Sequence, residues 1–202
     1  MRASPKAAFF DSIAAEWDRR ENLPILMAQL HAGLTELELG PEEKVLDVGC
    51  GTGNLTRALL DGLSASGRIV AIDLAPRMIA AARRKVTDGR VAWHVLDARR
   101  LPFDDEAFDR VMCYSVWPHF DDPLQVAREL GRVLRPGGRM HIWHLISRER
   151  VNQIHATAGK AVRHDLLAPA EETARLLASA GFQVAVAIDT LERYLVTVVK
   201  VG

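Results

Sequence analysis

The chain has 202 residues, 49% of them apolar and 26% charged, a composition that suits one compact domain with a buried core. Lysine plus arginine and aspartate plus glutamate both number 26, so the formal net charge is zero. This balance gives no basic footprint for nucleic acid or an anionic membrane, and we expect a small-molecule partner. We find no signal peptide and no apolar run of about 20 residues, which predicts a soluble, cytoplasmic protein without a membrane segment. No oligomeric state is predicted.

Apolar, β-branched runs alternate with helical patterns along the chain. Strands are predicted at Lys44–Val48, Arg68–Ile72, Val91–Val95, Arg110–Tyr114, Arg139–His144, Phe182–Ile188 and Tyr194–Val199. Helices are predicted at Leu55–Leu63, Pro76–Val86, Pro123–Leu134 and Pro169–Ala180. Such alternation implies βαβ crossovers and a parallel sheet with helices on both faces.

The last two strands are separated only by Asp189–Arg193, so one edge strand should run antiparallel. We therefore predict an α/β, doubly wound, Rossmann-like fold with a seven-stranded, mostly parallel sheet. Two segments lie outside the alternation. Residues 5–39 are predicted to form a helical cap that is broken at Asn22-Leu23-Pro24, and residues 145–168 an irregular insert. The two cysteines, Cys50 and Cys113, fall in segments typical of a buried strand or a strand end, and no disulfide framework is predicted.

The segment after the first strand reads VLDVGCGTGN, with glycine at positions 49, 51 and 53. Open parallel sheets bind ligands at the carboxyl ends of their strands, and glycine lets the main chain turn sharply and approach a ligand closely. Asn54 stands where a dinucleotide-binding loop has its third glycine, and no Gly-Lys-Ser/Thr follows. The carboxylate of Asp47 would repel a phosphate group and suit an ammonium group.

Two further acids end the next two strands. Asp73 lies where a carboxylate can accept hydrogen bonds from both hydroxyls of a ribose, and Asp97 lies where one could accept from the exocyclic amine of adenine. An ammonium, a ribose and an adenine in this order describe S-adenosylmethionine.

At this point the sequence resembles the class I S-adenosylmethionine-dependent methyltransferases, especially the branch with small-molecule and quinone methyltransferases. The matching segments are VLDVGCGTGNLTRAL, IVAIDLAPRMIAAARRK, VLDARRLPFDDEAFDRVMCYS, DDPLQVARELGRVLRPGGRM and FFDSIAAEWD. They cover most of Phe9–Met140, in order.

The resemblance implies S-adenosylmethionine as cofactor and assigns its contacts. Asp47 would hold the methionine ammonium, and Asp73 the ribose hydroxyls. The other implied contacts are with the methionine and ribose (Gly49, Cys50, Gly51, Gly53), the adenine face (Leu74, Met78), the adenine edge (Asp97, Ala98), the methionine (Tyr114, Ser115) and the cofactor carboxylate (Trp17).

Several of these residues have a simpler alternative role or a departure from the family pattern. Trp17 could instead pack its helix on the sheet, and Cys50 is better explained as a small packing residue than as a nucleophile. Ala75 replaces the usual capping serine or threonine, which should weaken that helix start by about 1 kcal/mol. Leu96 replaces a common glycine.

The seven histidines are the candidates for a general base, because imidazole titrates near neutral pH. His31, on a predicted helix, and His94 and His141, inside predicted strands, favour structural roles. His119 follows the fourth strand at the cofactor mouth, although capping of the next helix is the favoured alternative. His144 ends the fifth strand and could face the same pocket.

The insert, residues 145–168, stands where this fold usually builds a substrate lid. It adds His155, His164 and Asp165, and the basic residues Arg148, Arg150, Lys160 and Arg163. His144, His155 and His164, or Asp165, could converge as a base cluster or, as a minor alternative, a metal site, or the insert could be a solvated polar loop. The basic residues could bind an anionic group of the substrate. The histidine spacing matches no compact metal motif, and no metal site is predicted.

We therefore predict a single methyltransferase domain over residues 1–202 that methylates a small molecule. The candidate catalytic residues are His119, His144 and His155, and the candidate substrate-binding residues are Trp117, His119, His144, His155, His164 and Asp165. The apolar SVW segment at 115–117 would suit an aromatic or quinone-like acceptor. The alternatives are a non-catalytic S-adenosylmethionine-binding protein and a nicotinamide-dependent oxidoreductase.

Overall fold

The computed structural model describes residues 4–202, apart from the side chain of Arg20. These residues group into two compact units, one that ends at Asp97 and one that begins at Ala98. The prediction of a single domain over the whole chain stays a prediction.

The first unit contains three strands and four helices. The strands are β1 (Lys44–Val48), β2 (Arg68–Asp73) and β3 (Val91–Val95). The helices are α1 (Pro5–Ile13), α2 (Leu23–Glu36), α3 (Asn54–Gly62) and α4 (Pro76–Lys85), with a 3-10 turn at Trp17–Arg20. β2 pairs in parallel with both β1 and β3, as the alternating pattern predicts. The predicted break in the N-terminal helical region is confirmed: Asn22 caps α2 by accepting a hydrogen bond from the Ile25 amide at 3.4 Å.

The second unit contains four strands and three helices. The strands are β4 (Phe108–Tyr114), β5 (Leu134–His144), β6 (Phe182–Asp189) and β7 (Tyr194–Lys200). The helices are α5 (Pro123–Val133), α6 (Arg148–Ala158) and α7 (Ala170–Ser179), with a 3-10 turn at Trp117–His119. β4 and β5 are parallel, whereas β7 runs antiparallel to both β5 and β6.

The seven strands follow the order β3-β2-β1-β4-β5-β7-β6. This confirms the predicted α/β class, the seven-stranded sheet and the antiparallel edge. The order reverses after β3, so the topological switch point lies at β1, and ligands bind at the carboxyl ends of strands beside such a point. Among the described residues, none of the helices has the length and apolar character that a bilayer crossing requires.

One local prediction is wrong. The insert is not irregular throughout, because Arg148–Ala158 forms α6, which is capped by the Ser147 hydroxyl as it accepts from the Arg150 amide at 3.2 Å. Only Val151 of α6 is buried, so most of this helix is exposed. Its apolar stripe is short and has two large side chains, Val151 and Ile154. In β5, Gly137 and Gly138 lie where the pairing with β4 shifts register.

The start of α4 receives its cap from a distant residue. Ala75 offers no side-chain cap, as its identity predicts. Instead the Asp11 carboxylate on α1 accepts a hydrogen bond from the Arg77 amide at 2.7 Å. Ala75 also forms a buried cluster with Ala14 and Met78, so its small side chain lets α1 pack on the start of α4. A residue of the N-terminal region therefore replaces the missing local cap.

We predict that Asp11→Ala lowers the free energy of unfolding by about 1 kcal/mol, because α4 loses the acceptor for one of its first amides. Urea unfolding followed by circular dichroism measures this loss. Ser12→Ala is the matched control on the same helix, since the Ser12 hydroxyl donates to the Phe9 carbonyl of α1 itself. It should change stability by less than about 0.5 kcal/mol. Equal losses in both variants would show that α4 does not depend on Asp11.

Candidate functional site

Three glycines in the left-handed backbone region form the loop between β1 and α3, which we call the glycine loop. Gly49, Gly51 and Gly53 have φ values of 67°, 54° and 82°, which residues with a Cβ rarely adopt. The Cys50 amide donates to the Ile72 carbonyl, and the Gly53 amide donates to the Cys50 carbonyl, both at 2.9 Å. A Cβ placed on Gly51 would meet nothing within 4 Å. Open space therefore lies beside the main chain at the position where a ligand is predicted.

The Asp73 carboxylate joins the end of β2 to the glycine loop. Its Oδ2 accepts from the Gly51 amide at 2.9 Å, and its Oδ1 accepts from the Ala75 amide at 2.8 Å. Because a carboxylate oxygen can accept more than one hydrogen bond, these contacts are compatible with the predicted contacts to ribose hydroxyls. Asp73 thus orients the glycine loop. Asp73 and the loop would then bind the ligand together.

Asp47 is a buried carboxyl group under the same loop. Only 1% of it is exposed, and its Oδ2 accepts from the Thr56 hydroxyl at 2.5 Å. Burial raises the pKa of Asp47 to about 7; the Thr56 hydrogen bond opposes this rise and the charge of Asp73 adds to it. A cation nearby would favour the ionised form. Burial, with the charges of both acids, also raises the pKa of the Cys50 thiol, as expected for a packing residue rather than a nucleophile.

The residues of the first unit that are predicted to contact the adenine or the carboxylate of the cofactor differ in how exposed they are. Met78 is 1% exposed within the cluster that includes Ala14, whereas Leu74 is 40% exposed and is the more accessible of the two. Trp17 packs against the same cluster, which lies between the end of α1 and the start of α4. Its contact with a cofactor carboxylate, and the contacts of Leu74, Met78 and Asp97 with adenine, stay predictions.

The second unit contains the other predicted cofactor residues. Ala98 is buried, and Tyr114 ends β4 with its ring centroid 5.2 Å from that of Trp143. Ser115 follows with a φ of 53°, and its amide donates to the Trp143 carbonyl at 2.9 Å. A left-handed residue other than glycine costs about 1–3 kcal/mol, and such strain is concentrated at functional sites. The roles of Ala98, Tyr114 and Ser115 toward a cofactor stay predictions.

The second unit also brings two histidines to one aspartate. The Nδ1 of His119 lies 2.7 Å from Oδ2 of Asp165, and the Nδ1 of His155 lies 2.6 Å from the Asp165 carbonyl oxygen. The two imidazole rings are 4.7 Å apart between centroids. Because both oxygens are acceptors, each Nδ1 carries a proton and donates it, which places the lone pair of a neutral ring on Nε2.

His144 adds a third imidazole to this group. It is 2% exposed, and its ring packs edge-on against Tyr194 with centroids 5.8 Å apart. Burial, with smaller electrostatic contributions from His119 and His155, lowers the pKa of His144 to about 3. The ring is therefore neutral at physiological pH. Its Nε2 is buried without a hydrogen-bond partner among the described residues, an arrangement that costs stability unless a ligand or water completes it.

The structure separates His164 from these three histidines. His164 is exposed, and its Nε2 accepts from the Arg163 guanidinium at 3.1 Å. The favoured alternative for His119, capping of α5, is wrong, because Asp122 provides that cap by accepting from the Gln125 amide at 2.9 Å. The convergence of residues from the insert is thus found for His155 and Asp165, with His119 and His144, but not for His164.

Two other histidines have the structural surroundings that the sequence favours. Burial lowers the pKa of His141 to about 3, so its neutral ring accepts from Arg110 at 2.7 Å and donates to Thr197 at 2.9 Å. His31 lies exposed on α2 and contacts Asp61 of α3 at 2.9 Å.

Two points of the sequence analysis remain: the candidate substrate-binding residue Trp117 and the question of a metal site. Trp117 is 5% exposed and packs edge-on against Phe120, with ring centroids 5.5 Å apart. It is thus part of a packed wall, and its contact with an acceptor stays a prediction. Within residues 4–202, no three His, Cys, Asp or Glu side chains are grouped as metal ligands.

Sequence reasoning missed four residues that meet at the glycine loop. Asp18 contacts Thr52, Asn54 and Lys85 through its two carboxylate oxygens. The one available signal was the last letter of FFDSIAAEWD, the segment quoted for Trp17. Its partners lie at least 34 positions away in the chain.

The fold and the loop have counterparts in known proteins. A family model described as a methyltransferase domain matches residues 46–142. The demethylmenaquinone methyltransferase of Lactiplantibacillus plantarum is 36% identical over 138 residues, which cover 65% of this chain and 58% of that protein. The ubiquinone/menaquinone biosynthesis C-methyltransferase UbiE of Bordetella avium is 34% identical over 146 residues, which cover 69% and 56%. The chain thus spans between half and two thirds of the length of these two relatives.

A solved structure agrees over nearly the whole length. The crystal structure of a SAM-dependent methyltransferase from Aquifex aeolicus superposes with a TM-score of 0.78 and covers 95% of this chain and 98% of that one. At 22% sequence identity, this likeness shows the fold alone.

We predict that Gly53→Ala lowers the free energy of unfolding by about 2 kcal/mol, because the residue must keep a positive φ and its Cβ would crowd its neighbours. The added atom would lie 3.0 Å from Trp93 and 3.2 Å from Ala82. Gly89→Ala is the control, since a Cβ there meets nothing within 4 Å. Urea unfolding of both variants measures the difference, and an unchanged Gly53→Ala protein would contradict the strained loop.

Proposed function

Because the chain belongs to the class I S-adenosylmethionine-dependent methyltransferases, we propose that it transfers a methyl group from S-adenosylmethionine to a small-molecule acceptor. The observation that carries the proposal is the glycine loop, with three left-handed glycines at the carboxyl end of β1 and the Gly51 amide bonded to Asp73. A ligand bound here could contact both the main chain of the glycine loop and the carboxylate of Asp73.

The residues of the first unit fit the chemistry of this cofactor. Asp47 is an acid whose ionised form a neighbouring ammonium would favour, and Asp73 provides acceptors suited to a pair of hydroxyls. Gly51 leaves open space where a ligand can approach the loop. When bound, S-adenosylmethionine supplies a methyl carbon on a sulfonium centre, whose charge is lost as the methyl group leaves.

A nicotinamide cofactor fits less well. The Asn54 side chain replaces the third glycine of a dinucleotide loop and is held by Asp18 at 3.2 Å and by Lys85 at 2.7 Å. The buried acid at Asp47 would also disfavour a pyrophosphate. The other alternative, cofactor binding without catalysis, predicts tight binding and no methylated acceptor.

We further propose His119 as the general base of the reaction. Asp165 accepts the proton on Nδ1 and so orients the ring and leaves the lone pair on Nε2. Nε2 could then accept a proton from an O–H or N–H group of the acceptor as that group is methylated. The neutral His144 and the ring of His155 would line the acceptor, whereas the exposed His164 has no such support.

The acceptor class that the family branch suggests is aromatic or quinone-like. Two of the similar proteins are named for demethylmenaquinone or for ubiquinone and menaquinone biosynthesis. The buried aromatic side chain of Trp117 is compatible with a planar, partly apolar acceptor. The expected cytoplasmic location stays a prediction.

We predict that S-adenosylhomocysteine binds the purified protein with micromolar affinity in calorimetry, that NADH does not bind, and that Asp73→Ala weakens the binding at least about tenfold. Asp61→Ala is the control, because Asp61 is an exposed aspartate of α3 whose carboxylate contacts His31 of α2 at 2.9 Å. A folded wild-type protein that binds NADH and not S-adenosylhomocysteine would overturn the proposed function.

We predict that His119→Ala lowers kcat about 10²–10⁴-fold without changing the affinity for S-adenosylhomocysteine. The measurement is S-adenosylhomocysteine formation in the presence of a panel of phenols and hydroquinones. His164→Ala, which changes an exposed histidine next to Asp165, should keep wild-type turnover. Equal rates in the two variants would remove the base assignment, and no methylated acceptor would favour the non-catalytic alternative.

A further inference from the structure

Four side chains of the first unit form a closed set of polar contacts, which we call the clasp: Asp18, Thr52, Asn54 and Lys85. Oδ1 of Asp18 accepts from the Thr52 hydroxyl at 2.6 Å and from the Asn54 amide nitrogen at 3.2 Å. Oδ2 of Asp18 accepts from the Lys85 ammonium at 2.8 Å. The clasp therefore joins the 3-10 turn after α1, the glycine loop, the start of α3 and the end of α4.

The Lys85 ammonium has a full set of oxygen acceptors within the clasp. Besides Asp18, it donates to the Thr52 hydroxyl at 3.1 Å and to the Asn54 side-chain oxygen at 2.7 Å. The Lys85 and Asp18 side chains are only 20% and 30% exposed. Three acceptors match the three donors of an ammonium, so its partial burial is compensated.

The acid of the clasp is held in its charged form. Burial raises the pKa of Asp18, but hydrogen bonds from Lys85, Thr52 and Asn54 outweigh that effect and leave the pKa below its ordinary value. A partly buried ion pair of this kind is screened less by salt than a surface pair. The attraction between Asp18 and Lys85 should therefore persist at salt concentrations that weaken an exposed ion pair.

Thr52 is the residue through which the clasp holds the glycine loop. It lies between Gly51 and Gly53, which have no side chains, and it is 2% exposed. Thr52 is therefore the residue of this three-residue stretch that can make contacts through its own side chain. Asp73 holds the Gly51 amide by a separate contact.

We propose that Asp18 and Lys85 are positioning residues for cofactor binding, which hold Thr52 so that the glycine loop keeps its left-handed turns and couple the N-terminal segment 5–20 to the bound cofactor. The proposal rests on the proposed function. Because coupling is reciprocal, the cofactor should also stabilise segment 5–20. A merely structural ion pair would support folding without linking the two.

The test compares Lys85→Met with Lys85→Arg and with Glu16→Gln. Glu16→Gln is the matched control, since it removes an exposed ion pair with Arg19 at 2.7 Å beside the same 3-10 turn. Stopped-flow fluorescence gives the dissociation rate of S-adenosylhomocysteine, and hydrogen exchange of residues 5–20 is measured with and without that ligand. Asp18→Asn, which removes the charge and keeps an oxygen for Thr52, provides a second variant if Lys85→Met does not fold.

We expect Lys85→Met to release S-adenosylhomocysteine about tenfold faster and to lose the ligand-induced protection of residues 5–20. Lys85→Arg should recover part of both effects, and Glu16→Gln should behave as the wild type. The wild type could bind S-adenosylhomocysteine while Lys85→Met and Asp18→Asn show unchanged release and unchanged protection. That result would overturn the proposed role of the clasp and leave the proposed function standing. No binding of S-adenosylhomocysteine by the wild type would instead overturn the proposed function and the clasp's role with it.

Discussion

The main chain between β1 and α3 enters the left-handed region at Gly49, Gly51 and Gly53, and the first unit is arranged to hold it there. Glycine loses more conformational entropy on folding than any other residue, so a loop with this composition needs outside contacts to keep one shape. Asp73 holds the loop through the Gly51 amide, and the clasp holds it through Thr52. The start of α3 and the open space beside the loop both follow from that conformation.

Each of the two units contains a buried ionisable side chain at the candidate site. Asp47 is fully enclosed, and burial raises its pKa to about 7, which a neighbouring cation would reverse. His144 is kept neutral and has a buried ring nitrogen without a partner among the described residues. Both arrangements cost stability in the protein alone, and proteins tend to keep such costs where a ligand relieves them. The proposed function gives each group that relief: an ammonium for Asp47 and an acceptor near His144.

The sequence predicted what depends on local patterns. Alternating strands and helices, and the spacing of glycines after Asp47, were enough for the sheet and the glycine loop. Contacts that span long stretches of chain were not predicted: Lys85 and Asp18 lie 67 positions apart, Arg77 and Asp11 lie 66 apart, and His119 and Asp165 lie 46 apart. No local periodicity encodes such a meeting, because it depends on how the elements pack. α6 was not predicted either, since it buries only Val151 and its apolar stripe is short.

A crystal structure of the protein with S-adenosylhomocysteine would show whether the glycine loop binds the cofactor. We expect the ribose hydroxyls within hydrogen-bond distance of the Asp73 carboxylate, with the amino group on the side of Asp47. We also expect Gly51 and Gly53 to keep their positive φ values and Thr52 to keep its hydrogen bond to Asp18. A ligand bound away from the glycine loop, or a loop that adopts another conformation to admit it, would show that the loop is not the preformed cofactor site.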